Sequence, residues 1–437
     1  MKNKMKFFTL LISIIFLLFS FLTYKMLSFD YVKLKKELSI LKIETKKISN
    51  KNKLEIGEIF ISKKILSNRN KDSFTLKKYY LPFNHYYANG LKSIGYIQLL
   101  EDKIIFTNAI GEFYYFYNKE LDSKKINLIN IPNNIKDLIT DDLFYSTKAT
   151  YSITDLEIFN GKLFVSYNRL VKHGCYNTSI LVSDLNLDKL IFKNFFTYDE
   201  CVDKYVEKEY LSHLDGGRMQ VYKNNLLFTI GDYQKRNLGQ DSDSLFGKVI
   251  LINLEDKSYE IFSKGHRNPQ GLLYLKDEDI VLETEHGPEG GDEINKLVRK
   301  QNYGWPISSY GDLTPTNYLE TGRNDPKPFK SHVDHGFIEP IKYFLPSIGI
   351  SQIIKVPKKF NNKENNIYVA SMGRKKSKPY VYKAIFDYKF NENYTKILDE
   401  DEIVIGERIR DLIYLNSKNL VVMVLENSPS IAILKKN

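Results

Sequence analysis

The sequence predicts an all-β protein, a six-bladed β-propeller carried on an N-terminal transmembrane anchor helix. Three observations lead there: one uncharged apolar segment near the start, a short hairpin pattern that recurs six times after residue 56, and no long amphipathic helical pattern beyond it. The order along the chain is a tail over 1–6, an anchor over 7–24, a Lys-rich stalk over 25–55 and a propeller over 56–437.

The apolar segment runs from Phe7 to Tyr24 without a charge and follows Lys2, Lys4 and Lys6. As a helix it would reach roughly 27 Å, close to the thickness of a bilayer core. Its end (Phe19, Phe21, Leu22, Tyr24) lacks the small residues of a signal-peptidase site, so an uncleaved anchor is expected. Lys25, Lys33, Lys35 and Lys36 crowd the far flank, so charge alone leaves the orientation open. In the stalk, Leu34, Leu38 and Leu41 fall at helical spacing, as in a solvated helix.

Of the net charge of +11, residues 1–55 supply +8, with 12 lysines against four acidic residues. A basic excess beside an apolar segment suits anionic lipid headgroups, and no nucleic-acid-binding face is indicated. Cys175 and Cys201 are the only cysteines. In a cytosolic protein they would stay free thiols; in an exported domain they would pair, contributing on the order of 3 kcal/mol.

From residue 56 onward short apolar runs alternate with polar turns. The unit of apolar run, turn and apolar run appears at 97–108, 156–167, 219–230, 272–284, 353–370 and 412–425, with starts 53 to 81 residues apart. Six hairpins at that period suit six propeller blades better than an irregular β-sandwich. In a hairpin, the start of the first strand and the end of the second lie at the same end. Residues just before each unit (His213–Arg218, Gly265–Gln270, Arg408–Asp411) and just after it (Gly231–Asp232, Glu285–Pro288, Ser371–Lys375) should therefore gather at one mouth of the central channel.

These flanking segments hold the least ordinary residues of the chain: Gly265-His266-Arg267-Asn268-Pro269-Gln270-Gly271-Leu272, then Glu285-His286-Gly287-Pro288-Glu289-Gly290-Gly291-Asp292-Glu293-Ile294-Asn295, then Asn302-Tyr303-Gly304-Trp305-Pro306 with the only tryptophan. In this order and spacing they resemble the glucose/sorbosone dehydrogenase family, six-bladed propellers that use pyrroloquinoline quinone and calcium. Gly406-Glu407-Arg408-Ile409-Arg410-Asp411-Leu412 supports the resemblance, His213–Arg218 supports it more weakly, and residues 1–55 have no part in it.

The resemblance implies oxidation of an aldose at its anomeric carbon, with hydride passing to the quinone. Arg267 and Asn268 match the pair that contacts the quinone and positions the sugar, so Arg267 counts as catalytic as well as cofactor-binding. Gly287 and Pro288 match the pair whose carbonyls hold calcium, and carbonyl oxygens are hard donors that calcium accepts. Arg408 and Arg410 alternate on a strand and so point to one side; planar guanidinium forks suit the three carboxylates of the cofactor. The plain alternative pairs these arginines with Asp411 and Glu407. Asn before Pro can also simply cap a turn. Glu283, Glu285, Asp292 and Glu293 are expected to satisfy amides and arginines in a tight turn rather than bind a metal.

The family's base is a His shortly before a Gly-Gly-Arg turn, which makes His213 the candidate here. His213 stands one residue further from Arg218 than the pattern has it; Leu214 holds the expected place, and Asp215 is the substitute. Where the family has Ser-Leu-Lys, this chain has Ser371-Met372-Gly373, followed by Arg374 and Lys375. The expected whole is an aldose dehydrogenase tethered to the outer, periplasmic face of the cell membrane, acting on a small sugar and passing electrons to an acceptor the sequence does not name. The rival is a noncatalytic propeller that binds carbohydrate or protein. A calcium-dependent propeller hydrolase fits less well, because it needs no arginines for a polycarboxylate.

Overall fold

The computed structural model describes residues 53–56, 63–67, 72–81, 95–146, 149–203, 205–206, 209–210, 214–312, 327–373 and 383–437. The chain divides into two units, 1–54 and 55–437, and the propeller belongs to the second. The expected anchor Phe7–Tyr24 and nearly all of the stalk lie outside the described residues.

All six predicted hairpins are the two innermost strands of six blades. The inner strands are Gly95–Leu100, Ile153–Phe159, Gly216–Tyr222, Pro269–Leu275, Ile350–Val356 and Ile409–Leu415. Each packs against the inner strand of the next blade, and the sixth returns to the first, so the ring closes. Each blade then continues outward as an antiparallel meander. The hairpin turns are local: Asn160 (φ 47°) and Gly161 (φ 68°) form a two-residue turn with both φ positive, between the paired residues Phe159 and Lys162. Five of the six inner strands carry a register shift near their first residues, which bends their entries at the channel mouth.

Second strands read as continuous apolar runs because each blade is covered on both faces by its neighbours. Asn366–Ser371 and Leu420–Leu425 are buried at every residue. The core is therefore a set of layers between blades. One layer packs Leu282, Ile294 and Ile350 against Val369 and Tyr388; another packs Ile385 and Ile403 against Leu412 and Met423.

Two features lie outside the hairpin pattern. The N-terminal strand Ser73–Tyr80 pairs with the C-terminal strand Ser430–Lys436 and completes the sixth blade, in register from Phe74–Lys436 to Tyr80–Ser430. The wide spacing between the fourth and fifth hairpins is an excursion over 298–341. It adds Gln301–Asn302 in parallel to the third blade and delivers Trp305 and His332 before Lys342–Phe344 closes the fourth. Cys175 and Cys201 form a disulfide, with Cα atoms 5.4 Å apart.

Candidate active site

The inner strands meet in a polar layer that closes the channel. Counting back from the hairpin turns, Tyr96, Asp155, Arg218, Gly271, Gln352 and Asp411 stand at one level, one from each blade. Arg218 crosses this level: Nη1 donates to Asp155 at 2.8 Å and Asp411 at 3.1 Å, Nε donates to the Gln270 carbonyl, and the guanidinium lies 5.3 Å from the Tyr96 ring. Asp155 and Asp411 also accept the amides of Met219 and Ile97, so five blades are tied by one buried ion group. Burial pushes Asp155 up to about 7 against the pull of Arg218, and it raises Asp411 as well. A cavity of about 190 Å³ extends beyond this plug, among Gln98, Glu157, Gln220, Leu273, Ile354 and Ile413. The motif residues lie at the other end.

At that mouth the flanking segments interlock. The Asp232 amide donates to the Arg267 carbonyl and the His286 amide to the Asn268 carbonyl, while Arg408 Nη1 donates to the Met372 carbonyl at 3.2 Å. Arg410 Nη1 reaches Gln270 Oε1 at 3.3 Å, which sets Arg410 beside the strand that begins just after Arg267 and Asn268. Arg267, Asn268, Arg408 and Arg410 thus gather at one end of the channel, and Gly287 joins them through its contact with Arg267.

Arg408 and Arg410 do lie on one side, but their partner is neither Asp411 nor Glu407. Glu426 accepts from Arg408 Nε at 2.6 Å and from Arg410 Nε at 2.5 Å, while Asp411 serves Arg218 and Glu407 pairs with Lys78 of the N-terminal strand. Burial alone would raise the Glu426 carboxyl, yet the two guanidiniums hold it below the usual range. Two guanidiniums share this one carboxylate, so the group of Arg408, Arg410 and Glu426 carries one excess positive charge. Glu426 immediately follows the sixth hairpin, so the rule that gathers flanking residues at this mouth also covers it, although it belongs to no recognisable motif.

Asn268 is held rigidly. Its Oδ1 accepts the Gly216 amide at 3.1 Å and Gln270 Nε2 at 3.1 Å. Arg267 is fixed through its backbone by Glu285, and its Nη1 donates to the carbonyls of Gly287 at 2.6 Å and His286 at 3.2 Å. Its guanidinium lies 5.5 Å from the Trp305 ring, whose Nε1 donates to the buried Asp232 at 2.7 Å.

Asp292 pins the loop that carries Gly287 and Pro288. One of its oxygens accepts the Gly287 amide and the other the amides of Ile348, Gly349 and Ile350. Burial opposes its charge, but His286 and these amides hold its carboxyl below the usual range. A Cβ on Gly287 would fall 2.1 Å from the Gly291 carbonyl oxygen, so the turn requires glycine. Behind it, Glu285 serves Arg267 and Asn295 as expected, whereas burial beside Glu285 pushes Glu283 well above the carboxylate range.

His213 lies outside the described residues, as do Arg374 and Lys375. Leu214 is described and takes a left-handed φ of 65°, with its carbonyl accepting the Tyr233 amide. Asp215 accepts Asn168 Nδ2 at 3.0 Å and is held by Thr178 through its carbonyl.

Comparison with known proteins agrees with this architecture. A family model described as glucose/sorbosone dehydrogenase matches residues 159–434. The aldose sugar dehydrogenase YliI of Escherichia coli K12 is 27% identical over 266 residues, covering 57% of this chain and 67% of that protein. The apo structure of the soluble aldose sugar dehydrogenase from Escherichia coli superposes with a TM-score of 0.62 at 18% identity, covering 86% of this chain and 100% of that one. The PQQ-bound aldose sugar dehydrogenase of Streptomyces coelicolor gives 0.54 at 14% identity, covering 79% and 99%. These two structural likenesses are likenesses of fold.

Proposed function

The chain belongs to the glucose/sorbosone dehydrogenase family and is a sugar oxidoreductase, and we propose that it oxidises an aldose at the anomeric carbon using pyrroloquinoline quinone and calcium. The observation that carries this reading is the arginine pair bridged by Glu426 beside Gln270, Asn268 and Arg267 (two planar forks sharing one carboxylate) above a channel plugged by Arg218. A polycarboxylate is the ligand such forks match. The Gly287 carbonyl already accepts a charge-assisted hydrogen bond, as an oxygen donor suited to a hard cation would. When bound, the quinone supplies a hydride-accepting carbonyl and calcium polarises it.

The chain's own residues divide the remaining work. Arg408 and Arg410 grip carboxylates, and Glu426 holds the two forks in place. Asn268, locked by Gly216 and Gln270, offers a fixed amide at the mouth. Arg267 orients the sugar beside the cofactor. His213 takes the anomeric hydroxyl proton on a ring nitrogen. The uncharged segment Phe7–Tyr24 and the Cys175–Cys201 disulfide support placement of the propeller on the outer face of the cytoplasmic membrane.

The test is to add pyrroloquinoline quinone and calcium to the detergent-purified chain. The expected result is cofactor absorbance that stays with the protein and dye reduction with at least one aldose. Bound quinone without oxidation across a broad aldose panel would leave a binding module, and no bound quinone would remove the reading.

A further inference from the structure

Arg267 makes a contact that its place in the motif does not explain. Its backbone is held on both sides, by Glu285 Oε2 on the amide and by the Asp232 amide on the carbonyl. Its side chain turns to the loop carbonyls, with Nη1 2.6 Å from the Gly287 oxygen. This is the oxygen that, on the function proposed above, would hold a divalent cation. A calcium ion binds carbonyl oxygen at about 2.3–2.6 Å, so ion and guanidinium would share one oxygen as like charges a few ångströms apart.

We propose that Arg267 is a place-holder on the Gly287 carbonyl. Binding of a divalent cation displaces the guanidinium and frees it to meet an anionic ligand at the mouth. Metal loading and readiness for the anion are thereby coupled through one side chain. The coupling is reciprocal: an anionic ligand that draws Arg267 away strengthens cation binding by the same factor. Trp305 makes the displacement observable. It is the only tryptophan of the chain, its ring lies 5.5 Å from the guanidiniums of both Arg267 and Arg236, and Asp232 fixes its indole N–H. Loss of one of two flanking cations changes its surroundings directly.

The inference rests on the proposed calcium and quinone reading, and the experiment separates the two. Full-length protein in detergent is titrated with calcium without quinone, following tryptophan emission and, independently, calcium bound at equilibrium. The wild type should show a saturable change in emission. Arg267→Ala should bind calcium at least tenfold more tightly, with emission already shifted before calcium is added. Arg267→Lys keeps a cation and should stay within about threefold of wild type. Equal or weaker calcium binding by Arg267→Ala, with a wild-type emission change, overturns the place-holder and leaves the proposed function standing. Calcium bound by neither protein, with or without quinone, removes the metal reading and this inference with it.

Discussion

Replacing Glu426 by Gln tests whether the arginine pair is held by that carboxylate. The side chain is 5% exposed and accepts from both arginines, at 2.6 and 2.5 Å. Gln keeps the shape and can accept one of the two donors, but the other arginine loses its Nε acceptor and the two guanidiniums lose the charge between them. A hydrogen bond to a charged group is worth about 1.5–3 kcal/mol and breaking a buried pair costs about 3–5 kcal/mol. With Arg408 26% exposed, a loss of about 3 kcal/mol in unfolding free energy is expected. Urea unfolding of both proteins, with and without saturating quinone, measures it. Carboxylates of a bound polyanion would take over part of Glu426's role, so quinone should close at least half of the gap. A loss below about 0.5 kcal/mol, or a gap that quinone leaves unchanged, would show that Glu426 does not hold the pair.

Three further outcomes follow from the same geometry. Arg218→Met strands Asp155 and Asp411 and should cost about 3–5 kcal/mol at pH 8. Both carboxyls have folded pKa values raised above the unfolded value near 3.9, Asp155 to about 7, so the folded state binds the extra protons; stability falls as pH rises between those values, and the deficit of the variant should be smaller at pH 5 than at pH 8. Replacing both Cys175 and Cys201 by Ser should lower stability by about 3 kcal/mol in urea, and an unchanged midpoint would show the bridge contributes nothing. His213→Gln should reduce turnover by roughly 100-fold while quinone still binds, and Asp215→Asn should do much less; the reverse ranking in a dye-reduction assay would move the base to Asp215.

The propeller was legible because its hairpins are local. Units such as 156–167 and 412–425 carry two apolar runs and a turn within 12 to 14 residues, and the mouth follows from hairpin geometry alone. What stayed hidden depends on partners distant in sequence. Ser73–Tyr80 alternates as a strand should, but its partner Ser430–Lys436 is more than 350 residues away. The plug of Arg218 with Asp155 and Asp411 joins three blades, and nothing local to Asp155 marks it as buried. The arginine pair is legible from its alternation on one strand, but its counter-ion is neither of the adjacent acids, Glu407 and Asp411. Strand alternation turns Asp411 to the side opposite Arg410, and Glu407 is drawn to Lys78, so the role passed to Glu426 across the hairpin.

On the proposed function, this mouth captures a polycarboxylate through Arg408 and Arg410. Quinone affinity measured by equilibrium titration in the presence of calcium, for wild type and for Arg408→Ala and Arg410→Ala, tests it most directly. Each variant should lose about 1.5–3 kcal/mol, roughly a 10- to 150-fold weaker complex, with a shallower salt dependence than wild type. Unchanged affinity in both variants would show that these arginines only brace Glu426 and that the quinone site lies elsewhere.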